Sequence, residues 1–68
     1  MRCRMIEKIE ELMLLRRSIS FSRLENMFSI EIQEEQTGRK EMVALPFSHL
    51  NEKKIVQYID FMSAKLNV

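Results

Sequence analysis

Residues 18–35 read SISFSRLENMFSIEIQEE, and residues 40–47 read KEMVALPF. In the first stretch Ile19 and Phe21 fall between Ser18, Ser20 and Ser22, then Phe28, Ile30 and Ile32 alternate with Ser29, Glu31 and Gln33. In the second, Val43, Leu45 and Phe47 share one face. Side chains of a strand point alternately to opposite faces, so a period of two marks strands with one buried side. The pattern predicts strands over Ser18 to Leu24, Met27 to Glu35 and Lys40 to Phe47.

The turns test that reading. A two-residue turn at Glu25-Asn26 sets Phe21 opposite Ile30 and Ile19 opposite Ile32. A four-residue loop, Gln36-Thr37-Gly38-Arg39, closing on Glu35 and Lys40, sets Ile32 opposite Val43, Ile30 opposite Leu45 and Phe28 opposite Phe47. It also brings Glu34 opposite Glu41, a small repulsive flaw. Both turns put the bulky apolar residues of these pairs on one face, which a one-residue slip would destroy. A rival pattern exists: Ser22 and Glu25 fit a capping box, which would make Arg23 to Phe28 a short helix of the kind that opens a winged helix-turn-helix. The chain then runs straight into a strand, leaving no room for a recognition helix.

Outside the strands the period changes to that of a helix. From Met5 to Arg17, Ile6, Ile9, Leu12 and Met13 recur at three- and four-residue steps, widened by Met5 and Leu15. Glu7, Glu10 and Glu11 lie toward the start and Arg16 and Arg17 at the end, matching the helix dipole. From Glu52 to Leu66 a second stripe comprises Ile55, Val56, Ile59, Met62 and Leu66, flanked by Tyr58 and Phe61. Asn51 is its expected N-cap, and Leu50 is placed to staple onto Ile55. The expected fold is α+β: two helices on one face of a three-stranded antiparallel meander, in the order α-β-β-β-α, as a single domain over residues 1–68. Met5, Met13 and Met62 are expected in its core.

Composition narrows function. Eleven Lys and Arg against ten Asp and Glu give a net charge of +1, so no dominant field gathers nucleic acid or anionic lipid. The longest uncharged run, Met42 to Asn51, is half the roughly 20 residues that a membrane span needs. Arg2 and Arg4 imitate the start of a signal peptide, but Glu7, Lys8, Glu10 and Glu11 interrupt its apolar region. One cysteine, Cys3, and one histidine, His49, exclude an internal disulfide and a His/Cys metal cluster. The expectation is an intracellular, cytoplasmic protein without cofactor or small-molecule substrate. Cys3, beside Arg2 and Arg4, could have a lowered thiol pKa; a lone terminal cysteine is more often incidental.

Catalytic constellations are missing. Ser48-His49 is adjacent in sequence, which rarely holds a base against a nucleophile. Asp60 is the sole aspartate and falls on a polar helix side. One glycine cannot build a phosphate-cradling loop. The protein is expected to be no enzyme.

Two binding readings are left. A chain of 68 residues buries only about 60% of its unfolded surface, so a partner is the usual remedy. Strand Ser18 to Ser22 is an edge with no charge, proline or glycine to block pairing, whereas Pro46 blunts the other edge. Ser18, Ser20 and Ser22, with Leu24, Met27 and Met42 on the uncovered face, are the expected interface of a small adaptor or regulatory protein, a homodimer, acting through an edge strand or open sheet face. The alternative is phosphate contact through Arg16, Arg17, Arg39, Lys40, Lys53 and Lys54.

The α-β-β-β-α order, the size and the Lys53-Lys54 pair opening the last helix resemble the double-stranded-RNA-binding fold, over nearly the whole chain. That resemblance implies RNA phosphate contact by Lys53 and Lys54. The motifs depart from it: the first hairpin loop, Leu24-Glu25-Asn26-Met27, lacks the long Gly-Pro and His insertion that reaches the minor groove. The mRNA-interferase branch of the same fold carries a histidine on an early strand, and Ser18 to Glu35 has none.

Overall fold

Residues 3–67 are described by the computed structural model. Helix α1 spans Arg4–Leu14, strands β1, β2 and β3 span Arg17–Leu24, Met27–Glu34 and Lys40–Pro46, a single 3-10 turn covers Phe47–His49, and helix α2 spans Glu52–Leu66. The strands form one antiparallel sheet in the order β1-β2-β3. This is the α-β-β-β-α meander that the alternation predicts. No short helix forms over Arg23 to Phe28; Leu24 pairs with Met27 across a two-residue turn.

The first hairpin has the expected register, with Phe21 opposite Ile30 and Ile19 opposite Ile32. Glu25 takes φ 55°, the left-handed conformation that two-residue hairpin turns require at their first central position.

The second hairpin differs by two residues. Ile30 pairs with Val43, Phe28 with Leu45 and Ile32 with Glu41. The loop is residues 35–39, because Glu35 is already engaged: its N–H donates to the carbonyl of Arg16 at 3.1 Å, on the β1 side. The loop therefore closes on Glu34, whose N–H donates to Arg39 O at 2.8 Å and whose carbonyl accepts from Gly38 N at 2.9 Å. Gly38 supplies φ 74° there, and Thr37 Oγ1 accepts from Arg39 N at 3.2 Å. A shift of two leaves every side chain on its face, so alternation cannot detect it. It also removes the Glu34–Glu41 repulsion: Glu34 lies 3.6 Å from Arg17, and Glu41 lies 3.8 Å from Lys65. β3 stops at Pro46, and Phe47 enters the 3-10 turn.

Both helices cover the face carrying Ile19, Ile30, Ile32, Val43 and Leu45. α1 packs on β1 and α2, while α2 packs on β2 and β3. The core joins Leu12, Ile30, Ile32, Leu45, Ile59, Met62 and Leu66, all buried. Asn51 caps α2 as expected, its Oδ1 accepting from Lys54 N at 2.8 Å, and Leu50 and Ile55 both pack against the core.

α1 departs from expectation in two ways. It ends at Leu14, and Arg16 takes φ 58°, the left-handed residue that commonly closes a helix. Arg17 opens β1 and is 7% exposed, so Arg16 and Arg17 do not serve the helix dipole. The inward stripe is also rotated. Leu12 is buried and Met5 and Ile9 are half-buried, whereas Ile6 and Met13 are 51% and 69% exposed. Of the methionines expected inside, Met62 is buried, Met5 half-buried and Met13 outside.

Candidate interaction surface

The antiparallel registers place all six expected interface residues on the uncovered face of the sheet. Its rows run Leu24–Met27–Pro46, Ser22–Ser29–Ala44, Ser20–Glu31–Met42 and Ser18–Gln33–Lys40. Leu24 and Met42 stand 71% and 66% exposed on either side of the row of small residues, and Met27 closes one end. The serines are tied to their neighbours: Ser20 Oγ donates to Glu31 Oε2 at 3.5 Å, and the hydroxyls of Ser22 and Ser29 share a hydrogen bond. The Ser22–Ser29–Ala44 row is thus a small, neutral strip between the apolar row of Leu24, Met27 and Pro46 and the mixed row of Ser20, Glu31 and Met42.

Beside this face, β1 pairs only with β2 among the described residues, leaving its other edge free of strand partners there. Unpaired strand N–H and C=O groups are ready to accept another strand, and nothing from Ser18 to Ser22 carries a charge to oppose it. Above the edge, Phe21 is exposed although its ring stacks on Phe28, the centroids 5.6 Å apart. Phe28 in turn lies 6.2 Å from Phe47, over which Arg23 sits at 5.1 Å. Phe21, Phe28 and Phe47 are expected inside the core; they instead form an aromatic row at its rim.

Of the six cations of the alternative reading, Arg16, Arg17, Arg39 and Lys40 gather at the open end of the sheet, and Lys53 and Lys54 stand apart from them. Arg17 is buried, ion-paired to Glu34, and hydrogen-bonded through Nη2 to Asn67 Oδ1. Arg39 donates to the carbonyls of Leu66 and Lys65 at 3.4 and 3.3 Å, satisfying orphan acceptors at the C-terminus of α2. Lys53 and Lys54 lie exposed in the first turn of the same helix, about 20 Å away at 1.5 Å per residue. Arg16 sits in the α1–β1 turn, and Lys40 opens β3. The capping role of Arg39 leaves no signal in its own neighbourhood, since its partners lie 26 and 27 residues away.

The remaining titratable groups are structural in setting. Asp60 receives Lys8 Nζ at 2.7 Å, and this hydrogen bond raises the Lys8 ammonium above its ordinary pKa of 10.5. His49 and Ser48 are both exposed in the 3-10 turn. Cys3 is half-buried and its Sγ lies 3.1 Å from Glu52 Oε1; Arg2, expected beside it, lies outside the described residues. An open depression of about 610 Å³ lies between the helix starts, lined by Arg4, Asn51, Glu52, Lys53 and Val56. Among the described residues, no group of three or more His, Cys, Asp or Glu side chains could hold a metal ion, and no helix is long and apolar enough to cross a membrane.

No known protein family, curated protein or solved structure matches this chain.

Proposed function

We propose that this protein works by binding protein rather than by catalysis, as an adaptor or regulator that associates with a second copy of itself. The surface is the free edge of β1 or the open sheet face of Leu24, Met27 and Met42, which meet at one corner. The observation that carries the reading is that an unpaired edge, without charge over residues 18–22, lies beside exposed apolar side chains. The engagement of Arg17 and Arg39 in internal contacts, and the distance of Lys53 and Lys54 from the other cations, support protein over nucleic acid, because phosphate binding needs several available charges on one surface. Native mass measured against concentration tests the idea. The wild type self-associates, and Phe21→Pro, which removes an N–H facing away from β2, weakens association. A wild-type chain that remains monomeric throughout, or a native mass indifferent to Phe21→Pro in a folded protein, removes the reading.

A further inference from the structure

The helical layer adds a second half to the β1 edge. Lys8 reaches Asp60 on α2, and Lys8, Glu11, Leu12 and Leu15 line a small cavity against Ile59, Asp60 and Ser63. That side of α1 therefore faces α2. At 100° per residue, Ile6 and Met13 lie on the opposite side, within about 20° of each other around the helix. Since α1 lies over β1 and α2 over β2 and β3, the direction away from α2 is the direction of the free sheet edge. Ile6 and Met13 thus lie on the side of α1 toward the free edge of β1, the strand that also carries Phe21.

We propose that this flank, the β1 edge together with Ile6, Met13 and Phe21, is where the second copy binds: two chains pair β1 to β1 antiparallel about a two-fold axis, and their α1 helices pack over the joined six-stranded sheet. The proposal rests on the protein-binding reading above and names the occupant and the side. Three observations select a second copy. First, β1 is self-complementary. Any antiparallel register that keeps the helix-covered faces together matches odd with odd and even with even positions. In the register centred on Ser20, Ile19 meets Phe21 and Ser18 meets Ser22, while Arg23, held over Phe47, falls opposite Arg17, which is already paired with Glu34. An isologous contact of this type closes on itself and leaves no further β1 edge.

Second, three large apolar side chains stand exposed along this flank, Ile6, Met13 and Phe21 at 51%, 69% and 42%, with Glu10 one helical turn from the first two. Third, the surface area fits. Surface–mass scaling gives a folded monomer of 8.2 kDa about 4500 Å², and this chain exposes 5109 Å². The excess, roughly 600 Å², approaches the 800 Å² or so that each partner hides in a standard interface. With the edge and the α1 flank occupied, Leu24, Met27 and Met42 stay open on the other face of the joined sheet.

Sedimentation equilibrium of the full chain tests the assignment, comparing wild type with Ile6→Glu, Met13→Glu and Met42→Glu, with circular dichroism as a check of fold. These three side chains are exposed, so the folded monomer tolerates each change. The expected result is a wild-type mass twice 8.2 kDa, a dissociation constant raised at least about tenfold by either flank substitution through burial of a charge, and an unchanged dimer in Met42→Glu. A dimer indifferent to Ile6→Glu and Met13→Glu but broken by Met42→Glu overturns this assignment and keeps the protein-binding reading, with the open faces as the contact. A monomeric wild type overturns both.

Discussion

Arg17 and Glu34 are cross-strand neighbours at the open end of the first hairpin, with the guanidinium 3.6 Å from a carboxylate oxygen. The other oxygen of Glu34 accepts from Thr37 Oγ1 at 3.4 Å. Arg17 Nη2 donates to Asn67, but Nε and Nη1 are buried without a hydrogen-bond partner. A cavity of about 50 Å³, large enough for one water, is lined partly by Arg17.

The two halves of this pair are therefore unequal. Glu34→Gln strips a buried guanidinium of its charge partner and should cost about 3 kcal/mol, whereas Arg17→Met removes the unsatisfied donors together with the charge and should cost under about 1 kcal/mol. Urea denaturation of both variants decides it. A larger loss in Arg17→Met than in Glu34→Gln would mean that Arg17 stabilises through packing and Asn67 and not through Glu34.

Lys8 and Asp60 join α1 to α2 at 2.7 Å. Because the Lys8 pKa is raised above 10.5 in the folded chain, the folded state holds its proton more tightly than the unfolded state. The bridge thus contributes fully below pH 10.5 and loses its contribution as pH rises above that value. The side chains are partly solvated, which keeps the effect within about 1 kcal/mol. Lys8→Met should flatten the decline of stability as pH rises above 10.5, where the bridge dissolves. A decline identical to that of wild type would assign the alkaline loss to other groups.

Glu25 holds φ 55° in the β1–β2 turn without a glycine's freedom. A left-handed conformation costs a non-glycine residue about 1–2 kcal/mol, partly offset by the greater entropy of an unfolded glycine. Glu25→Gly should raise stability by about 0.5 kcal/mol, visible as a higher urea midpoint with an unchanged slope. A lower midpoint would show that the glutamate side chain stabilises the turn beyond its backbone cost.

Most of the architecture is legible in the chain itself. The period-two alternation around Ile19, Ile30 and Val43 and the period-3.6 stripe from Ile55 to Leu66 dictate the element order and the covered face, because side-chain direction follows from backbone geometry alone. Asn51 likewise announces the start of α2 by a local capping bond. The expected interface residues come out on one face for the same reason. Leu24, Met27 and Met42 need only parity and two reversals of direction to meet.

What the tertiary structure alone decided are quantities to which those local signals are blind. The second hairpin slipped by two residues, invisible to alternation, because Glu35 had already paired with Arg16 on the other side. α1 turned Ile6 and Met13 outward, since a helix with apolar residues around much of its circumference has no unique inward face until Lys8 meets Asp60 and Leu12 meets the sheet. Arg17 went inside and Arg39 reached the end of α2 through partners 50 and 26–27 residues distant. Local chemistry sets which way a side chain points along its own element; only packing sets which neighbour it finds there.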